Sequence, residues 1–454
     1  MLTIKQIQEI TQGILIQGNP DTKVRGASID SRTAKKGDVF IAIKGERLDG
    51  HRFIREAQKK GVAGIVVQKK LRGLSSIPMI RVKDTTQALG QLAAFHRRRF
   101  SIPIIAITGS AGKTTTKEMI AHVLESRYKV LKNRKSENNQ YGLPLTLLRL
   151  NSSYDIAVLE LGTNQFGDID YLSQIVDPTV AIYTNIGESH LQGLKSPRGV
   201  LREKTRLMNY LPPHGDVIFN QDDQYLKNFF KKRLPQTKMT YAIHHKAAFQ
   251  ARQIQKSQND KITFMVNKKR FLIKTPVHHN IYNALAAICC GHLFKISYNS
   301  MKIKLNAFLF DNSRQQVKKI GQLTLIDDTY NSNPLSLKSA IRTLDSFLTK
   351  GRKICVCGDM LELGKTAYAL HRDIGKTIAR SSIDLVLTTG RYTKEITKIV
   401  QKSSVEKQAF HCRDIDEVNQ RLKKYCQKGD VVLVKGSRAT RMDRTVSFVR
   451  RKMK

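Results

Sequence analysis

The sequence predicts an α/β protein of three domains: a mixed α/β N-terminal domain, a central parallel-sheet domain built around a phosphate loop, and a C-terminal Rossmann-like α/β domain. Three observations carry that expectation. The chain has 454 residues, about three domains at roughly 150 residues each. Short, nearly continuous apolar runs bounded by glycine turns recur in two series, as parallel strands covered on both faces require. Finally, Gly109-Ser110-Ala111-Gly112-Lys113-Thr114-Thr115 follows one of those runs and opens a helix.

The elements follow in order. Val39–Ile43 alternates like a strand and Gly64–Val67 is a short apolar run. Arg97-Arg98-Arg99-Phe100-Ser101 leads into Ile102-Pro103 and predicts a linker. The domains are therefore expected over residues 1–100, 101–313 and 314–454. The central strands are expected at Ile104–Thr108, Ile156–Leu161, Val180–Thr184 and Val217–Phe219. A second series follows at Leu323–Ile326, Ile354–Cys357, Leu385–Leu387 and Val431–Val434. Cys355 and Cys357 then read as alternate residues of a buried strand, not as a redox or metal pair.

Composition excludes several classes. With 40% hydrophobic and 26% charged residues the mix is globular. No apolar run approaches the roughly 18 residues of a membrane helix, and the opening Met1-Leu2-Thr3-Ile4-Lys5 has no apolar signal core. The 6 cysteines include no CxxC pair and are too few for a disulfide framework. A cytoplasmic protein without a membrane span is expected. The 79 Lys+Arg against 37 Asp+Glu give a net charge of +42. That charge fits either a polyanionic partner or a general basic drift. Basic residues are scattered along the whole chain, with no polybasic tail, zinc-finger spacing or RNP-type aromatic motif. Drift is preferred, and no nucleic-acid partner is expected.

The glycine-rich segment carries the chemistry. Gly109 and Gly112 let backbone N–H groups turn inward around phosphate oxygens, and the helix N-terminus adds a favourable field. Ser110, Ala111 and Thr115 complete the cradle. Lys113 would reach the β- and γ-phosphates and the Thr114 hydroxyl would hold Mg²⁺. The ordinary pattern has glycine where this chain has Ile107, so the loop is a shorter variant, G-x-x-G-K-T.

Further candidates lie at strand ends and on helices. Glu160 ends a buried run at the carboxyl edge of the sheet, where ligands of α/β folds gather, which suits a Mg²⁺ ligand. His190 follows the next strand; periodicity alone reads it as a structural group. Ser196-Pro197 reads as N-cap and N1 of a helix ending near Leu211. On it Val200, Lys204, Leu207, Met208 and Leu211 share one arc, with Arg198, Arg202, Thr205 and Arg206 opposite. Lys204 thus sits in the apolar stripe, where desolvation would leave a neutral, nucleophilic amine. Asn280 reads as the N-cap of a helix over Ile281–His292, and Asn333-Pro334 as a cap and N1.

The shortened loop is shared by the Mur ligases and folylpolyglutamate synthetases, and the chain resembles that superfamily nearly end to end. The similar blocks include Asp30-Ser31-Arg32, Lys44-Gly45-Glu46, Asp49-Gly50-His51, Asn138-Asn139, Thr184-Asn185-Ile186-Gly187-Glu188-Ser189-His190, His279-Asn280, Asp327-Asp328-Thr329-Tyr330-Asn331, Gly358-Asp359-Met360-Leu361-Glu362-Leu363-Gly364 and Lys435-Gly436-Ser437-Arg438. The resemblance is to the Mur ligase superfamily, at the last cytoplasmic step of bacterial peptidoglycan-precursor assembly. It implies an ATP-dependent amide ligase joining D-alanyl-D-alanine to UDP-N-acetylmuramoyl-tripeptide through an acyl phosphate; a monomer is expected.

The same resemblance implies roles for single residues. Glu160 and His190 become ligands of two Mg²⁺ ions, and Lys204 is carbamylated by CO₂ to hold a metal. Asn280 and Asn283 read the adenine, Asp328 the ribose, Arg314 the γ-phosphate, and Asn138 belongs to the nucleotide site. Ser31, Arg32, Lys44, Asp49 and His51 hold the UDP moiety, while Asn331, Lys435 and Arg438 serve the other substrate groups. The chain departs from the family with Glu160-Leu161-Gly162 for Glu-Met-Gly, Gln192 for a common Glu, and Asp311-Asn312-Ser313 before Arg314. Two alternatives stay open: a sister ligase with a different acceptor, such as glutamate added to folate, and a nucleic-acid-stimulated NTPase. Asp327-Asp328-Thr329-Tyr330-Asn331 argues against the first, and the short loop against the second.

Overall fold

The computed structural model describes residues 2–45, 48–69, 77–134, 137–257, 261–310, 314–403 and 406–453. Glu46 of the Lys44-Gly45-Glu46 block and the segment 311–313 before Arg314 lie outside them. Three α/β sheets follow one another along the chain, as the sequence predicts. The first has five strands in the order Ile14–Gln17, Met79–Arg81, Gly64–Val67, Asp38–Ile41 and Gly26–Ser28, parallel except for the first.

The central sheet has seven strands, all parallel, in the order Phe249–Gln250, Thr237–Ala242, Asp216–Asn220, Val180–Tyr183, Ile104–Thr108, Ile156–Glu160 and Val130–Lys132. Ile104–Thr108 is therefore flanked by the strands that end in Glu160 and Tyr183. Register pairs Ile107 with Glu160 and Thr108 with Tyr183, so three chain segments leave the carboxyl edge within one residue of each other. That edge is where a parallel sheet places its ligands.

Alternation along the strands supplies two cores. Ile105, Ile107, Val158 and Ile182 pack with Ile120, Val123 and Leu124 of the helix Lys113–Leu124 and with Ile281, Leu285 and Ile288 of the helix Asn280–Leu293. Ala106, Leu159 and Ala181 face the other way, toward Ile169, Leu172 and Val176. This second core continues through Ile186, Leu191 and Leu194 to Met360 and Leu363, so the central and C-terminal sheets share one apolar cluster.

The C-terminal sheet has six strands in the order Gln316–Ile320, Leu323–Asp328, Val431–Lys435, Lys353–Gly358, Leu385–Thr389 and Gln408–Cys412; only the first is antiparallel to its neighbour. Cys355 and Cys357 are buried alternate residues of one strand, with sulfurs 3.3 Å apart. Among the described residues no helix is long and apolar enough to cross a membrane.

Four expectations need correction. The antiparallel sheet of Arg252–Lys256, Ile262–Val266 and Lys269–Ile273 was not anticipated; its alternating Ile262, Phe264 and Val266 are buried. Arg97 is not in a solvated linker but ends the helix Thr85–Arg97, buried, donating to Val176 O at 2.9 Å, Phe100 O at 2.7 Å and Asp177 O at 3.0 Å. The helix from Pro197 stops at Lys204 and tightens into a 3₁₀ turn over Thr205–Tyr210. That tightening buries Thr205, whose hydroxyl donates to Leu201 O at 2.9 Å, instead of turning it to water. Asn280 is not a cap: His279 precedes the helix, and the Asn280 amide donates to Thr275 Oγ1 at 3.1 Å.

Arg97 bolts the end of one helix to the end of another. Removing it leaves three carbonyls short of a donor, and bonds to a charged group contribute about 1.5–3 kcal/mol each at most. Arg97→Ala is expected to destabilise the full chain by about 2–4 kcal/mol, read as a lower urea midpoint, with Arg97→Lys recovering only part because one ammonium cannot reach all three acceptors.

Candidate active site

Gly109 and Gly112 make the turn possible. Gly112 has φ of +81° and directly precedes the helix Lys113–Leu124, with no side chain capping its first turn. The N–H groups of such a turn can receive an anion. At Gly109 a Cβ would fall 1.9 Å from Thr184 Oγ1, so only glycine fits. The loop is held from the neighbouring strand: Asn185 Oδ1 accepts from Ala111 N at 2.8 Å, the Thr184 hydroxyl donates to Ala111 O at 2.7 Å, and Ser110 N donates to Asn185 O at 2.9 Å.

Glu160 and Thr114 meet at the head of the helix. The Thr114 hydroxyl donates to Glu160 Oε2 at 2.6 Å and the Asn138 amide donates to Oε1 at 2.7 Å. Asn133, fully buried, brackets the Glu160 backbone: its Oδ1 accepts from Glu160 N at 2.9 Å and its Nδ2 donates to Glu160 O at 3.0 Å. Lys113 folds back so that Nζ donates to Gly109 O at 2.9 Å. Burial lowers its pKa, opposed by Glu160 and reinforced by Arg314.

Lys204 is fully buried and its Nζ has no hydrogen-bond partner among the described residues. Burial pushes its pKa well below the usual lysine value; the Lys113 charge adds to that, and Glu203 and Glu160 oppose it. Its neighbour Glu203 is also buried, accepting from Gly167 N at 3.0 Å and Ile169 N at 2.7 Å at the start of the helix Asp168–Val176. His190 Nδ1 lies 2.6 Å from Glu362 Oε2. Burial lowers the His190 pKa, while the bond to Glu362 works the other way.

A cleft of about 410 Å³ joins the loop, Glu160 and His190 to the C-terminal sheet; Gly109 and Lys204 are not among the residues that line it. Ser110, Ala111, Gly112, Lys113, Thr114, Thr115, Asn138, Glu160, His190, Asn280, Asn283, Arg314, Asp328, Asn331 and Lys435 all line it. Asn283 accepts from the Thr116 hydroxyl at 3.0 Å and donates to Asn280 Oδ1 at 2.9 Å, so the asparagine pair is locked to the phosphate-loop helix. Lys435, buried, lies 2.7 Å from Asp328 Oδ2 and donates to Asn331 O at 2.8 Å. The Arg314 guanidinium lies 3.7 Å over the Tyr330 ring. Asn333 caps its helix as expected, and its amide also donates to Ser110 O at 3.2 Å, touching the phosphate loop from the C-terminal side.

The remaining predicted residues do not line this cleft. Arg438 is exposed in a short turn after the last strand. In the first sheet region the Ser31 hydroxyl donates to Glu56 at 2.9 Å, Arg32 pairs with Asp30, and Lys44 is exposed and bridged to Asp49. His51 is buried with both ring nitrogens engaged, Nδ1 with Asp49 at 2.6 Å and Nε2 accepting from Gln68 N at 3.1 Å.

Sequence reasoning did not single out Asn133, Glu203 or Glu362. Asn133 follows the edge strand Val130–Lys132, and its position beside Glu160 becomes visible only with the strand order. The donor set suits a hard divalent cation: Mg²⁺ uses one or two carboxylates together with substrate phosphates instead of an all-protein cage. Glu160 and the Thr114 hydroxyl stand at the phosphate-binding turn, and the unpartnered Lys204 amine lies within electrostatic reach of Glu160.

Two outcomes are expected. Gly109→Ala, by displacing Thr184 from the loop, is expected to weaken a non-hydrolysable ATP analogue about 10²-fold in calorimetry with unchanged circular dichroism. His279 lines the cleft, and burial brings it down to about 4. The unfolded chain then binds the extra proton first, so stability is complete above about 6.5 and is lost as pH falls toward 4. His279→Gln is expected to flatten that fall in urea midpoint.

Three Mur ligase models match the chain: the family's catalytic domain at residues 23–97, the middle domain at 107–291 and the glutamate ligase domain at 313–438. The UDP-N-acetylmuramoyl-tripeptide–D-alanyl-D-alanine ligase of Bacillus subtilis is 35% identical over 98% of this chain and 97% of its own. The Escherichia coli enzyme of that name is 32% identical over 98% and 97%. A crystal structure of MurF from Acinetobacter baumannii superposes with a TM-score of 0.91 at 30% identity, covering 99% of both chains. MurF ligase from Thermotoga maritima in complex with ADP gives 0.84 at 25% identity, over 95% and 98%. The chain belongs to the Mur ligase family.

Proposed function

We propose that this chain is an ATP-dependent ligase that joins D-alanyl-D-alanine to UDP-N-acetylmuramoyl-tripeptide, completing a peptidoglycan precursor in the bacterial cytoplasm. The observation that carries it is one cleft in which the phosphate loop, Glu160 and His190 of the central sheet face Asp328, Asn331 and Lys435 of the C-terminal sheet. The end-to-end likeness to D-alanyl-D-alanine ligases supports the choice of substrates. All residues used come from one chain, so the reading needs only a monomer.

In this reading the loop N–H groups, Lys113 and Arg314 hold the triphosphate and neutralise its charge. Catalysis of this kind is positioning and electrostatics. A tripeptide carboxylate oxygen forms a bond to the γ-phosphorus while the bond to the β,γ-bridging oxygen breaks, releasing ADP. The D-alanyl-D-alanine amine then attacks the acyl carbon; the carbon–oxygen bond to phosphate breaks, and the amine proton is lost. Asn280 and Asn283 would read the adenine and Asp328 the ribose. The first-domain residues Ser31, Arg32, Lys44, Asp49 and His51 would hold the UDP moiety, with Arg32 and Lys44 opposite the diphosphate.

Thr114, Glu160, His190 and a carbamylated Lys204 would hold two Mg²⁺ ions. Such ions, when bound, supply positive charge to phosphate oxygens. The Lys204 amine suits carbamylation because burial disfavours its charged form and its Nζ has no hydrogen-bond partner among the described residues: nitrogen bonds to the carbon of CO₂ and a proton leaves, giving an anion.

The test combines purified protein, ATP, Mg²⁺, UDP-tripeptide and D-alanyl-D-alanine, with phosphate release and mass spectrometry as readouts. Stoichiometric phosphate and UDP-pentapeptide are expected; phosphate without the amide, or a preference for another amine in an acceptor panel, would overturn the assignment. Lys204→Arg is expected to lower turnover about 10²-fold or more and to abolish the carbamate signal that ¹³C-bicarbonate gives the parent protein in NMR.

A further inference from the structure

The contact between His190 and Glu362 joins two sheets. His190 follows the strand Val180–Tyr183 of the central sheet, and Glu362 follows the strand Lys353–Gly358 of the C-terminal sheet. Their side chains meet at 2.6 Å. Both residues have a left-handed backbone, with φ of +52° at His190 and +64° at Glu362. Neither is glycine, so each conformation costs energy that surrounding structure must sustain. Such strain at both ends of one contact marks a geometry that is held in place.

The holding groups are visible. The Gln192 N–H donates to Glu362 O at 2.9 Å, which seats the glutamate loop on the histidine loop. On the C-terminal side, Met360 N donates to the buried His371 Nε2 at 3.1 Å and Leu361 N donates to Ser437 Oγ at 2.9 Å. Glu362 itself keeps about half of its side chain exposed, at 53%, so it contributes little to the core.

A carboxylate accepts hydrogen bonds and donates none, so the bond requires the proton on His190 Nδ1. In the neutral imidazole, the form that can bind a metal, this leaves the lone pair on Nε2. No group among the described residues bonds Nε2, and His190 lines the cleft. A histidine whose Nδ1–H is tied to a carboxylate, with Nε2 free, is the arrangement that orients metal-ligating imidazoles.

We infer that Glu362 is a positioning residue: reaching from the C-terminal sheet, it fixes the tautomer and ring orientation of His190, so that the metal position at His190 is complete only when the two sheets are in contact. This rests on the reading of His190 as a metal ligand. It adds that metal binding at His190 and contact between the sheets are one coupled event, while the Thr114–Glu160 position is built within the central sheet alone.

The test uses the full chain with β,γ-imido-ATP and Mn²⁺ as the probe, titrated by electron paramagnetic resonance. The parent protein is expected to take up two Mn²⁺ and His190→Ala one. Glu362→Ala is expected to weaken the second Mn²⁺ about 10–100-fold with the first unchanged. Glu362→Gln is expected to recover most of that loss, because its amide oxygen still accepts the Nδ1–H. Second-site affinity in Glu362→Ala equal to the parent's would overturn the inference, as would a Glu362→Gln variant as weak as Glu362→Ala. If His190→Ala also binds two Mn²⁺, the reading of His190 as a ligand is what fails.

Discussion

The 2.6 Å bond from the Thr114 hydroxyl to Glu160 is the contact on which the site is built. It links the first turn of the phosphate-loop helix to the end of the adjacent strand, and so converts strand register into chemistry. Register puts Glu160 opposite Ile107; one residue of slip would turn the carboxylate to the other face of the sheet. Asn133 guards against this by bonding both backbone groups of Glu160. A buried polar network of this kind is stable because each member is satisfied.

Much of this was legible in the sequence. The strand Ile104–Thr108, the turn and the amphipathic helix after it are local features with strong signals, and the buried lysine followed from the arc it shares with Val200 and Leu207. The less legible parts depend on distance. Arg97 looks like one of three surface arginines until the carbonyls of Val176 and Asp177, about eighty positions away in the chain, meet it. Glu362 was visible as part of a block, but nothing local says that it faces His190 across two sheets. The antiparallel sheet over residues 252–273 was missed because its first strand is short of apolar residues and exposed along most of its length.

Polar groups divide the cleft by origin. The central sheet contributes the phosphate turn and the oxygen donors, and the C-terminal sheet contributes the Asp328–Lys435 pair. Asn333 crosses the boundary to reach Ser110 O, so the glycine-rich loop is partly held by a residue that follows a strand of the C-terminal sheet. The basic residues behind the net charge of +42 are spread along the whole chain, whereas the cations at and beneath the site have Glu160, Glu203, Asp328 and Glu362 as their carboxylate neighbours.

The solitary amine of Lys204 has a thermal corollary. A dry nitrogen without an acceptor penalises the folded chain, and whatever gives that nitrogen a companion favours the native form by mass action. Any group that bonds this nitrogen is thereby linked to folding, and a chain that carries it melts later than one that does not.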